Sequence, residues 1–250
     1  MKNTMDQTPN TSNKRTELQM ARSMCWHCQS EVTGEYYCGQ CVKVQPLSKE
    51  MDYFTCLGLP RLLTIDTAAL EAKYYELSRT FHPDFFQSKT EPEQQISLGN
   101  SALLNTAYHT LKDPVQRAEY LLKLEAGSAK DIRNSPPADL FEEILELQED
   151  LEAFRSASGD AKETDQYRSK LLVDRAQLEQ RRQDMDTKLA GLFTKWDTIQ
   201  NRAPQPDALR PQKDDVLKEM RELLSNRTYL RNILNDVVAA MEGGHADRRH

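Results

Sequence analysis

Two groups of residues in this 250-residue chain combine types and spacings that suit chemistry. The first is a set of four cysteines, Cys25, Cys28, Cys38 and Cys41, in the order C-x2-C-x9-C-x2-C. Two tight knuckles presenting four thiolates suit a tetrahedral metal ion, zinc above all. A rubredoxin-like iron site uses the same ligand set, and a redox dithiol is the third reading. A segment this short cannot fold on apolar burial, so metal binding would supply its folding free energy. His27 lies between the first two ligands, where it cannot easily replace either, and is expected to be exposed. The fifth cysteine, Cys56, flanks Phe54, Leu57 and Leu59 and reads as a small buried residue. The N-terminal segment has no secretory apolar stretch, which favours reduced thiols and metal over disulfides.

The second group is His82-Pro83-Asp84. Read plainly, it is a surface histidine, a helix stop and a cap. An acid–base role for His82 would need a nucleophile or a second carboxylate nearby. No recognisable motif places one there, so the chain is not expected to be an enzyme.

Helices must position both groups. Only 9 residues are glycine, about half of the usual ~7% share, which argues against a turn-dense β fold. Leu70, Tyr74, Leu77 and Phe81 recur at helical spacing, with Asp66 as the expected N-cap and Pro83 as the stop. A second helix follows Glu91-Pro92-Glu93, with Ile96, Asn100, Leu103, Leu104, Ala107 and Leu111 on one face. Asp113-Pro114 then opens a third, carrying Val115, Ala118, Leu121 and Leu122. The first two helices make an antiparallel hairpin with His-Pro-Asp in its loop. Further on, Leu140, Ile144, Leu147, Leu151 and Phe154 form one stripe. Tyr167, Leu171, Leu178, Met185, Leu189, Leu192, Trp196 and Ile199 form a second. Val216, Met220, Leu223, Leu230, Leu234, Val237 and Met241 form a third. Three such stripes in sequence predict an elongated three-helix bundle. Gly99 and Gly191 fall inside predicted helices and are expected to mark close packing.

The expected fold class is therefore all-α, in five zones. Residues 1–23 form a disordered tail and 24–44 the tetracysteine module. A hairpin unit covers 51–126, a linker 127–137 and the C-terminal bundle 138–242. No apolar run approaches the ~18 residues of a membrane span. The net charge of -6, with Lys43 the only basic residue in 24–44, disfavours nucleic acid as a partner. The tail carries Lys2, Lys14, Arg15 and Arg22 but also Asp6 and Glu17, so cytoplasmic placement is preferred over the mitochondrial matrix.

The His-Pro-Asp turn, after a helix bearing Tyr74, Leu77 and Phe81 and before one with Asn105, Ala107 and Tyr108, resembles the J-domain. Met51-Asp52-Tyr53-Phe54, Leu57-Gly58-Leu59-Pro60, Phe81-His82-Pro83-Asp84-Phe85-Phe86 and Arg117-Ala118-Glu119-Tyr120-Leu121-Leu122 narrow the resemblance to the HscB family. These are J-type co-chaperones of iron–sulfur cluster biogenesis, and the likeness runs from residue 51 to about residue 242. The cysteine knuckles resemble the extra N-terminal module that a minority of the family carries. The resemblance implies that the turn engages an HscA- or DnaK-type chaperone and stimulates its ATPase. Asp84 would offer a carboxylate to an arginine there, Pro83 would fix the turn and His82 would shape it. Lys73 and Arg79 are candidate positive contacts. The module could be structural, partner-binding or a dimer contact.

Residues 139–154 hold seven acidic residues and no Lys or Arg. Such a face attracts a basic partner. Phe141 and Leu145 fall outside the core stripe and read either as a binding patch or as a wider core face. The family resemblance implies a site for the IscU-type scaffold, carried by Phe141, Leu145, Glu146, Glu149 and Tyr229. Glu142 stands where the family can place an apolar contact and Ala153 where it can place an acid, which implies a smaller or differently centred interface. A general zinc-containing J-domain adaptor for another client is the alternative.

Overall fold

The computed structural model describes residues 23–32, 36–48, 50–126, 141–157, 161–202 and 209–243. The expected linker and all but the last residue of the expected tail lie outside them. The described residues are mostly helical, as the glycine shortage and the stripes implied. They fall into two compact units, dividing between Tyr120 and Leu121. No helix among them is long and apolar enough to cross a membrane.

The first unit begins with two short antiparallel strands, β1 (Ser23–Met24) and β2 (Glu31–Val32). A single helical turn, α1 (Tyr53–Cys56), follows. Asp52 caps it and accepts hydrogen bonds from the Thr55 backbone and the Arg61 guanidinium. Burial opposes the charge on Asp52, but these donors hold its carboxyl below the ordinary range. Helix α2 (Thr67–Phe81) starts where Asp66 accepts from the Ala68 and Ala69 amides. It packs on α3 (Glu91–Lys112). The pairing is antiparallel: Glu71 meets Tyr108, Tyr74 meets Asn105, and Phe81 meets Ser97 and Ser101. The Tyr74 and Tyr108 rings stack at 4.2 Å. Leu70, Leu77, Phe81, Leu104, Ala107 and Leu111 are buried. Asp113 caps α4 (Pro114–Ala126) through the Val115 and Gln116 amides. Cys56 is buried, and desolvation pushes its thiol up to about 11.

In the second unit, α5 (Phe141–Ser156), α6 (Ala161–Asn201) and α7 (Arg210–Gly243) pack on one another. Ile144, Leu147, Leu151 and Phe154 of α5 share a core with Leu171 and Leu178 of α6 and Leu230, Ile233, Leu234 and Val237 of α7. The 16 residues of α5 lie along the N-terminal half of the 41-residue α6, pinned by Glu143–Arg181 and Asp150–Lys170 ion pairs. Two expectations fail here. Leu224, not Leu223, is the fully buried residue in the middle of α7, because the straight 3.6-residue repeat drifts from a heptad grid. Gly99 and Gly191 mark no close packing: a Cβ at either would meet nothing within 4 Å.

Glu93 is a testable anchor of the first unit. Its buried carboxylate accepts from the Thr90 hydroxyl at 2.7 Å and the Lys43 ammonium at 2.9 Å. Burial works against the charge, but those donors outweigh it and hold the carboxyl down at about 2. The native state thus binds this proton more weakly than the unfolded chain, whose ordinary value is 4.5. Its stabilising effect is complete above that value and is lost as pH falls towards about 2. Glu93→Gln should lower unfolding free energy by about 2 kcal/mol at neutral pH. The same variant should flatten the acid limb of a thermal-melt series against pH.

Candidate functional site

The metal-ligand set is assembled by two knuckles with the same backbone pattern. In the first, the Cys25 amide donates to the Ser30 carbonyl and the Gln29 amide to the Cys25 carbonyl. In the second, Cys38 donates to Lys43 and Val42 donates to Cys38. Gln29 and Val42 both adopt positive φ, at 59° and 55°, to turn each chain back on itself. The four Sγ atoms lie within 4.8 Å of one another. Cys25 and Cys41 are 3.7 Å apart and Cys28 and Cys38 3.6 Å. A disulfide needs about 2.05 Å, whereas a tetrahedron with metal–sulfur bonds of about 2.3 Å has edges near ~3.8 Å. The donor set therefore fits one tetrahedral metal ion.

The surroundings suit thiolates unevenly. The His27 amide and the Gln45 side-chain amide both point at Cys25 Sγ, at 3.4 Å. Ser30 Oγ sits 3.0 Å from Cys28 Sγ and 3.1 Å from Cys38 Sγ. The Ser30 hydroxyl and the Cys41 amide pull the Cys38 thiol down to about 6, while desolvation pushes Cys41 up to about 12. His27 is exposed and outside the ligand set, as its position implied.

The His-Pro-Asp turn lies at the end of the hairpin. Phe81 is the last residue of α2, and its carbonyl accepts from the Ser97 and Ser101 hydroxyls at 2.7 and 2.8 Å. His82 is extended, at ψ 125°, and Pro83–Phe86 then form one 3-10 turn. His82 Nδ1 accepts from the Asp84 amide at 3.3 Å, which ties the two residues together in the turn. The Asp84 side chain is 70% exposed. A shallow pocket is lined by Tyr75, Ser78, Arg79, His82, Asp84 and Phe85. Arg79 therefore joins the turn. Lys73 lies two helical turns back and is held by Glu76 at 3.0 Å. The exposed aromatics Tyr75 and Phe85 were not singled out from the pattern, although the Phe85-Phe86 doublet carried a signal: only Phe86 is buried.

On α5, Phe141 is 58% and Leu145 48% exposed, and Glu146 and Glu149 are exposed with them. They are therefore a surface patch and not part of the core. Tyr229 of α7 lies beside the core. It is half-buried and packs against the bundle core, because its position borders the Leu230–Ile233 face. Asp150 is also drawn inward, where Lys170 pairs with it at 2.7 Å.

A family model described as the DnaJ domain matches residues 52–120. The hairpin is thus similar to the DnaJ domain. The mouse protein named iron-sulfur cluster co-chaperone protein HscB is 33% identical over 132 residues, 51% of this chain and 56% of that protein. The match thus spans little more than half of that relative. The crystal structure of human co-chaperone protein HscB has a TM-score of 0.58 at 24% identity, over 86% of this chain and 97% of that one. Chaperone HscB from Vibrio cholerae has a TM-score of 0.50 at 24% identity, over 77% and 99%. At that identity the two structures speak for the fold. The resemblance to HscB-type J-domain proteins thus holds in sequence and in fold.

The DnaJ domain and the cysteine knuckles belong to the same compact unit. Metal binding at the knuckles should be directly visible. Cobalt(II) added to reduced, metal-free protein should give the intense absorption bands of a tetrahedral thiolate complex at one ion per chain. Cys38→Ser should lower the cobalt affinity by at least tenfold.

Proposed function

We propose that the chain is a co-chaperone of iron–sulfur cluster assembly, acting without catalysis of its own. Its C-terminal unit binds an IscU-type scaffold. Its DnaJ domain hands that client to an HscA- or DnaK-type ATPase and triggers hydrolysis there. The observation that carries this reading is the solvent-facing His82-Pro83-Asp84 turn on a DnaJ domain, in a chain whose relative is named for iron–sulfur co-chaperone work.

The chemistry is recognition. Asp84 presents a largely exposed carboxylate, which accepts from the Gln87 side-chain amide at 3.3 Å and still suits an arginine. Tyr75 and Phe85 flank it with apolar area that a partner would dehydrate. On α5, Phe141 and Leu145 form an apolar pair ringed by Glu142, Glu146 and Glu149, which suits a partner with an apolar anchor and a basic rim. Holding both partners on one chain raises the effective concentration of client at the chaperone. The four-cysteine site would hold zinc: no redox chemistry is needed, and a closed tetrathiolate shell suits a structural ion. The reduced thiols suit the cytoplasm, with the mitochondrial matrix the alternative.

Two variants separate the two surfaces. Asp84→Ala should abolish stimulation of the chaperone's ATPase in steady-state phosphate-release assays and leave scaffold affinity unchanged. Phe141→Ala combined with Leu145→Ala should weaken scaffold binding at least tenfold by calorimetry, with the thermal midpoint held within about 2 °C, since exposed side chains contribute little to folding. Undiminished stimulation by Asp84→Ala would refute the chaperone role. Intact scaffold binding by the double variant would refute the docking face.

A further inference from the structure

We infer that the four-cysteine module is a buttress for the His-Pro-Asp turn, so that metal occupancy of the cysteines sets how the turn is presented, with Tyr37 and Asn100 as the positioning residues. The inference rests on the chaperone-contacting role proposed above for that turn.

The residues that precede the third ligand reach directly to the end of α2. Tyr37, next to Cys38, donates its hydroxyl to the Thr80 carbonyl at 3.1 Å. Tyr36 meets the Phe81 ring edge-on, at 5.3 Å and 86°. Thr80 and Phe81 are the two residues before His82. A helix end leaves its last carbonyls without partners inside the helix. Here one of them, on Thr80, is taken by the cysteine module, and the next, on Phe81, by Ser97 and Ser101 of α3.

A second path links the module to that same stretch of α3. Gln45 donates to Cys25 Sγ at 3.4 Å, and its backbone carbonyl accepts from Asn100 Nδ2 at 2.9 Å. Asn100 Oδ1 accepts in turn from the Leu47 amide at 2.9 Å. Asn100 is 3% exposed and makes these bonds between Ser97 and Ser101. The Lys43–Glu93 pair fixes the module to the start of the same helix. Both elements that hold the turn therefore carry contacts to the loops that present the thiolates.

The apolar core of those loops is small. Their buried cluster is Cys25, Val32 and Cys38, with Cys41 packed against it. Without an ion the thiolates have no common partner, and Tyr36, Tyr37 and Gln45 lose the frame that aims them. The turn would then sample more conformations, and only a fraction would fit the chaperone. A reduced competent fraction raises the apparent dissociation constant in proportion and leaves the saturated rate unchanged.

The test uses the full chain with zinc(II) removed and restored, and Tyr37→Phe in both states. Amide exchange at Asp84 and Phe85 is read by NMR, alongside chaperone ATPase against co-chaperone concentration. Removing zinc should speed exchange at the turn and raise the half-stimulating concentration severalfold, with the maximal rate kept. Zinc-loaded Tyr37→Phe should shift both readouts the same way, by about two- to tenfold, the worth of one hydrogen bond. It should still bind one zinc. In the zinc-free protein the same substitution should add almost nothing, because the contact is already loosened. Exchange in the core of the C-terminal unit should stay constant. Equal turn exchange with and without zinc overturns the inference. So does full additivity of zinc removal and Tyr37→Phe. If the chaperone fails to respond to any form while exchange still follows zinc, the buttress stands and the chaperone reading falls.

Discussion

The Phe81 carbonyl, gripped by the hydroxyls of Ser97 and Ser101, is the constraint on which the hairpin's exposed end depends. Phe81 is fully buried, so its carbonyl needs partners that water cannot supply. Two serines one helical turn apart provide them and lock the end of α2 to one position along α3. The Tyr74–Tyr108 stack sets the same register further along the hairpin. With the helix held there and Pro83 unable to continue it, the chain turns outward. Asp84 and Phe85 reach solvent as a result of packing several residues behind them.

Both units show one division of labour. Apolar residues that face another helix are consumed by the core, and those left over face solvent. Phe86 is buried while Phe85 beside it is 64% exposed. Leu147 is buried while Leu145 is not. Charge follows the same rule. Of the acids on α5, Glu143 and Asp150 are bound to Arg181 and Lys170 and serve the bundle. Glu142, Glu146 and Glu149 face outward around the apolar pair.

What could be read from the chain itself was whatever repeats or caps locally. Asp66 and Asp113 do what N-caps do because their partners lie two or three residues away. The cysteine spacing foretold the cluster because knuckle geometry is local. The antiparallel hairpin followed from facing stripes. Contacts between distant residues of unlike type stayed hidden. Nothing about Asn100, placed on an apolar face by its spacing, says that it binds the backbone at Gln45 and Leu47. Tyr37 carries no signal that its hydroxyl meets Thr80. Leu223 and Leu224 exchanged places because a strict heptad grid does not follow a straight helix over 34 residues.

The apolar pair on α5 also governs how the protein treats copies of itself. An exposed phenylalanine and leucine would ordinarily invite self-association. Here each approach of one α5 to another would bring Glu142, Glu146 and Glu149 against their own kind. The rim proposed to draw in a basic client would thus also disfavour pairing of the patch with a second chain.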